Sequence, residues 1–226
     1  MEIKNNIKEV EAELVDKKCR LIAVSKTQPI ATLQAAYDAG QRLFGENKAQ
    51  EMFAKYEALP KDIEWHMIGH LQTNKVKLIA PFVSLIHSVD SLKLLEEINK
   101  QAKRFNRTIF CLLQVYIARE ETKFGFSPEE VLELVKQNLS ELYPHVKIVG
   151  LMGMATFTDN QAQIRSEFGL LSSLFNQLKS MTLPTNMAMK ELSMGMSADY
   201  KIAIEEGSTL VRIGTTIFGN RNHTSQ

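Results

Sequence analysis

Cysteine is almost missing from this 226-residue chain, and its two copies, Cys19 and Cys111, both lie inside apolar segments. Two thiols so placed exclude a disulfide scaffold and fit a reducing compartment. An excess of charge is missing too: 27 Lys and Arg face 26 Asp and Glu, for a formal net charge of +1. Without a basic surplus, nothing recommends a reader of the nucleic-acid backbone. No apolar run approaches the roughly 20 residues of a membrane span. The N-terminal stretch MEIKNNIKEVEAELVDKK is charged and amphipathic, without the apolar segment of a secretion signal, so a cytoplasmic protein is expected. GxGxxG, P-loop and Gly-x-Ser-x-Gly elements are also lacking. What remains is 44% hydrophobic and 23% charged residues, which suits one sizeable core and a single domain over 1–226.

Short apolar runs rich in β-branched residues alternate with stretches of helical period. The runs predict strands at 20–25, 42–44, 65–68, 83–88, 108–117, 146–151, 189–192 and 209–213. Helical spacing predicts helices at 30–39, 49–59, 74–79, 92–105, 129–142, 161–181 and 198–206, with Pro128 at a first helical position after Ser127. Eight strand–helix repeats, the last lacking its helix, predict a parallel sheet closed into a (β/α)₈ TIM-type barrel over 20–221. An open doubly wound sheet is the competing architecture. Residues 1–19 form an extra N-terminal helix that caps the barrel bottom or packs outside it.

In such a barrel the chemistry collects on the loops that follow the strands. Strand one ends in Ser25-Lys26-Thr27, and a half-buried lysine there has a lowered pKa and can condense with an aldehyde, which points to carbonyl or pyridoxal chemistry. Strand two ends in Gly45-Glu46-Asn47. The run Leu192–Ser197 (LSMGMS) is a small-residue turn carrying the hydroxyls of Ser193 and Ser197, and it leads into a helix near Ala198. That turn, with Ser197 Oγ, and Gly214-Thr215 after the last strand suit a phosphate; the alternative for Ser197 is a helix N-cap with nothing bound. Arg212 shares a side of its strand with Gly214 and needs an acceptor. If the ligand is pyridoxal phosphate, the ring nitrogen serves, and a permanent cation beside it keeps it unprotonated. His66 and His70 have metal-ligand spacing only on a helix, which this segment is not, so no metal is expected. Asn106-Arg107-Thr108 and Asn222-His223-Thr224 match glycosylation sequons by chance, and Lys48, Lys75 and Lys123 read as surface charges.

The segments AVSKTQP around Lys26, FGENKAQE at 44–51, WHMIGHLQTNKVK at 65–77, HSVDS at 87–91, KFGF at 123–126, LSMGMSADY and GSTLVRIGTTIFG together resemble the YggS/PROSC pyridoxal-phosphate homeostasis proteins. The resemblance runs from about residue 20 to 221. It implies a fold similar to the N-terminal barrel of alanine racemase, with pyridoxal 5'-phosphate held as an imine on Lys26. It further implies that Ser197, Gly214 and Thr215 bind the phosphate, that Arg212 faces the pyridine nitrogen, and that Asn47 lies near the cofactor. Lys48 stands where the family has an aromatic, Tyr116 where it commonly has Asn, and Ala155-Thr156-Phe157 where an Ala-Pro pair is frequent.

Two functions follow. One is a carrier that holds the cofactor reversibly, regulates free pyridoxal phosphate and passes it to cofactor-dependent apoenzymes. The other is an amino-acid racemase, which needs an acid/base on each face of the ligand. In alanine racemases a further domain and a partner subunit bring the second base. No such domain is expected here, which leaves Tyr116 as the in-chain candidate and favours a monomeric carrier with no catalytic residues.

Overall fold

The computed structural model describes residues 2–118 and 124–219. Eight strands follow one another: β1 (Arg20–Val24), β2 (Leu43–Glu46), β3 (Glu64–Met67), β4 (Leu85–Val89), β5 (Ile109–Gln114), β6 (Val146–Met152), β7 (Met187–Met196) and β8 (Leu210–Ile213). Neighbours are parallel, and the order closes because β1 pairs with β8, Ile22 opposite Arg212. That pairing makes the expected (β/α)₈ barrel and excludes the open sheet. Lys123, residues 220–221 and the Asn222 sequon lie outside the described residues.

Parallel strands covered on both faces must be apolar throughout, which is why the runs are continuous. Alternation then divides each strand between two cores. Leu21 and Ala23 join the layer between strands and helices, whereas Ile22 joins Leu85, Leu112, Val149, Met152 and Leu210 inside the barrel. The helix Glu2–Leu14 buries Ile7, Val10 and Leu14. Its Asn6 Nδ2 donates to the Ile217 carbonyl at 2.9 Å, so it packs outside the barrel. No helix among the described residues is long and apolar enough to cross a membrane.

Several boundaries differ from the sequence pattern. β7 runs beyond 189–192 at both ends, because Met187 pairs with Ile148 of β6 and Ser193 and Met196 pair with Leu210 and Arg212 of β8. β5 stops at Gln114, and only Val115 continues as a bridge to Phe126. The helix expected over 129–142 is two, Pro128–Leu134 behind a Ser127–Glu130 capping box and Leu139–Leu142. The helix expected from 198 starts at Tyr200, because the Asp199 carboxylate accepts the Met196 N–H at 2.6 Å and holds a further turn open. Ser197 is therefore not that helix's N-cap. β8 does have its own short helix, Thr215–Phe218.

Candidate functional site

A cavity of about 770 Å³ opens at the C-terminal end of the barrel, lined by Lys26, Asn47, Ser197, Arg212, Gly214 and Thr215 among others. Six of the seven residues proposed from sequence thus share one cavity. Ser193 does not: it is fully buried behind Arg212. A smaller cavity, about 230 Å³, lies at the N-terminal end and includes Arg20, His66 and Lys147 in its lining.

Lys26 sits in a tight turn after β1. Thr27 beside it has φ 64°, a left-handed conformation that a β-branched residue adopts only under constraint. The constraint is a buried cluster that sequence reading missed. Lys55 Nζ donates to the Ser25 carbonyl (2.7 Å), to Glu46 Oε1 (2.8 Å) and to Glu51 Oε1 (2.7 Å), so all three ammonium hydrogens have acceptors. Ser25 Oγ donates to Glu46 Oε1 at 2.6 Å, and the Thr27 N–H donates to Glu51 Oε1 at 2.6 Å. Lys55 thus holds one neighbour of Lys26, Ser25, directly and the other, Thr27, through Glu51. Burial pushes the Glu46 carboxyl upward, and Lys55 and Ser25 oppose this. The signal was present: Met52, Lys55 and Leu59 fall on one helical stripe, and a lysine on a buried stripe needs partners.

Arg212 is buried, and its two terminal nitrogens are engaged from behind. Nη1 donates to Ser193 Oγ at 2.6 Å and Nη2 to the Gly153 carbonyl at 3.1 Å. Burial lowers its pKa to about 10, with Asp199 opposing, so it remains a cation at neutral pH. At the phosphate-type loops the Gly214 N–H donates to Ser197 Oγ at 3.3 Å, which brings the ends of β7 and β8 together. The first turn of Thr215–Phe218 leaves the Thr215 and Thr216 N–H groups without acceptors inside the helix. Gly214 lies close to β1: a Cβ there would be 3.1 Å from the Val24 carbonyl oxygen, so a side chain would need that strand to shift by a few tenths of an ångström.

Asn47 is fixed in the same way. A Cβ on Gly69 would fall 2.7 Å from both Asn47 Cα and its carbonyl oxygen. Gly69→Ala is thus expected to displace Asn47 and destabilise the fold by about 1–3 kcal/mol, checked by urea unfolding. An effect below about 0.5 kcal/mol would show that the loop gives way freely. At the rim His70 Nδ1 meets Asp90 Oδ2 at 3.0 Å. His66 is instead buried in β3, so the two histidines do not converge, and no group of three metal-binding side chains exists among the described residues. Tyr116 is not among the residues that line the large cavity.

The model of the alanine racemase N-terminal domain family matches residues 1–222. The chain belongs to that family. Among curated members, the pyridoxal phosphate homeostasis protein of Aquifex aeolicus is 43% identical over 205 residues, 90% of this chain and 88% of its own length. The human pyridoxal phosphate homeostasis protein is 40% identical over 218 residues, 92% of this chain and 78% of its own. PipY of Synechococcus elongatus superposes with a TM-score of 0.89 without pyridoxal phosphate and 0.84 with it bound, at 36% identity over 96% of this chain and all of PipY. Alanine racemase of Bartonella henselae, at 16% identity and a TM-score of 0.71 over 99% of this chain and 60% of its own, shares the fold of this family's barrel.

Proposed function

We propose that the large cavity binds pyridoxal 5'-phosphate and that the chain serves pyridoxal-phosphate homeostasis as a reversible carrier. The observation that carries this is the convergence of Lys26, Arg212 and the Ser197–Gly214–Thr215 loops on one cavity. The cofactor presents an aldehyde, a phosphate and a ring nitrogen, and the cavity offers an amine, N–H and hydroxyl donors, and a buried cation. Its aldehyde condenses with the Lys26 amine, releasing water, and hydrolysis restores both, so retention is reversible. Lys26 holds the ligand covalently, and the Lys55 cluster fixes the turn that carries it. Gly214, Thr215 and Ser197 take the phosphate, Asn47 bounds the far side, and Arg212 donates to the ring nitrogen. Relatives of this size bearing the homeostasis name support the reading.

Racemisation would need a second proton donor opposite Lys26, and Tyr116, the candidate for that role, lies off the cavity lining. The carrier acts as a monomer in the cytoplasm and releases the cofactor to apoenzymes.

Titration with pyridoxal phosphate should raise a near-visible band in the wild-type protein, and borohydride should fix the ligand on the Lys26 peptide. Lys26→Ala should lose the band and the adduct together. A variant that keeps both overturns the assignment. D/L interconversion of amino acids by the loaded wild type would replace the carrier reading with the racemase one.

A further inference from the structure

Behind Arg212 lies a file of polar side chains that the binding reading does not use. Arg212 Nη1 donates to Ser193 Oγ at 2.6 Å, Ser193 Oγ lies 2.9 Å from His87 Nδ1, and His87 Nε2 lies 2.9 Å from His66 Nδ1. Ser193 and His87 are 0% exposed, His66 3% and Arg212 4%, so water does not compete along the file. His66 also lines the small N-terminal cavity, so the file crosses the barrel from one opening to the other.

Its direction is determined at one end. A guanidinium can only donate, so Ser193 Oγ accepts from Arg212 and its own hydrogen is left for His87. His87 Nδ1 must then be the bare nitrogen, and in a neutral ring Nε2 carries the hydrogen. That hydrogen points to His66 Nδ1, which is bare in its turn, and His66 carries its hydrogen on Nε2. Reversing any link would set two donors against each other or leave the Ser193 hydroxyl without an acceptor in a buried place, at a cost comparable to a lost hydrogen bond. Burial keeps both rings neutral.

We infer that Ser193, His87 and His66 form a hydrogen-bond relay of fixed direction that positions Arg212 for the ring nitrogen of a cavity ligand. The three are positioning residues, and none touches the ligand. The relay and Gly153 hold the two terminal nitrogens of Arg212 from behind, which orients the guanidinium hydrogens that remain toward the cavity. The role toward the ligand rests on the pyridoxal-phosphate reading, whereas the direction of the relay does not.

Two measurements test it. Long-range ¹H–¹⁵N spectra of uniformly labelled protein at neutral pH, with the two rings assigned by single substitutions, should show His66 and His87 both neutral with the hydrogen on Nε2. A hydrogen on Nδ1 of either ring overturns the relay. Pyridoxal-phosphate titrations should then compare wild type, Ser193→Ala, His87→Leu and His87→Gln. Glutamine offers an acceptor and a donor in the same order and should restore much of what leucine loses. Ser193→Ala and His87→Leu should weaken retention about tenfold or more and move the near-visible band, with borohydride fixing still at Lys26. Ser193→Ala removes one hydroxyl only, so it serves if His87→Leu does not fold. Unchanged retention and band in Ser193→Ala overturns the positioning role. If even wild type fixes no ligand on Lys26, the pyridoxal-phosphate reading and the positioning role fall together, and the direction of the relay is decided by the tautomers.

Discussion

Lys55→Met should cost about 3–5 kcal/mol of stability, which in a chain of this size lowers the thermal midpoint on the order of 10 °C. Removing the ammonium leaves the Glu46 carboxylate, itself fully buried, without its counter-charge. One of its oxygens, Oε2, already has no hydrogen-bond partner among the described residues, so nothing is in place to share the load. The loss also frees the Ser25 carbonyl and removes the Lys55 partner of Glu51, which holds the Thr27 N–H. A second substitution separates the two consequences. Lys55→Met with Glu46→Leu replaces the buried pair by apolar groups of similar size and should recover most of the stability. It should not recover the rate at which Lys26 takes up pyridoxal phosphate, because neither the Ser25 carbonyl nor Glu51, which holds the Thr27 N–H, regains its Lys55 partner. Thermal and urea unfolding read the first effect, and growth of the near-visible band reads the second. A single variant within about 1 kcal/mol of wild type would show that water reaches Glu46.

The barrel was legible because parallel strands buried on both faces leave long apolar runs, and the turns between them leave polar ends. Ends were harder to read. β7 reaches back to Met187 and on to Met196 because those ends pair with Ile148 and Arg212 on other strands. No local pattern contains that information. The same holds for the turn at 197–199, which looks like the start of a helix until Asp199 is seen holding the Met196 amide. Six of the seven residues picked at strand ends line one cavity, since the barrel brings all eight ends to one mouth. Ser193 was placed one step wrong. The turn puts both its hydroxyls near the mouth in sequence, but residues 193 and 197 separate in depth, and only Ser197 reaches the cavity. The stripe of Met52, Lys55 and Leu59 shows that Lys55 needs partners, but Glu46 on β2 is not a local one, and the partners of His87, His66 on β3 and Ser193 on β7, are equally distant in sequence.

Acid should destabilise the protein earlier than its carboxylates alone would. Burial pushes His66 down to about 3, and it pushes His87 well below the ordinary value, with His66, Arg212 and Arg20 adding to the effect. In the unfolded chain both rings titrate near 6.5. The unfolded state therefore takes up two protons that the folded state refuses, so stability is complete above that value and falls as pH decreases toward the folded pKa. From about pH 7.5 to about 5.5 each ring removes about 1.4 kcal/mol and the pair about 3, rising to about 5 near pH 4.5. Ordinary carboxylates titrate near 4, and the buried Glu46 and Asp199, whose carboxyls burial pushes upward, act in the opposite direction, so a fall in the upper part of this window comes from the histidines. Urea unfolding across it should show the fall in wild type, and a variant carrying His66→Gln and His87→Gln should be nearly flat. A flat wild-type curve would mean that both rings take up protons in the fold, and half the fall would mean that one does. That result would also oppose the relay, because a proton added to His87 Nδ1 points at Ser193 and meets the hydroxyl that Arg212 has already turned toward it.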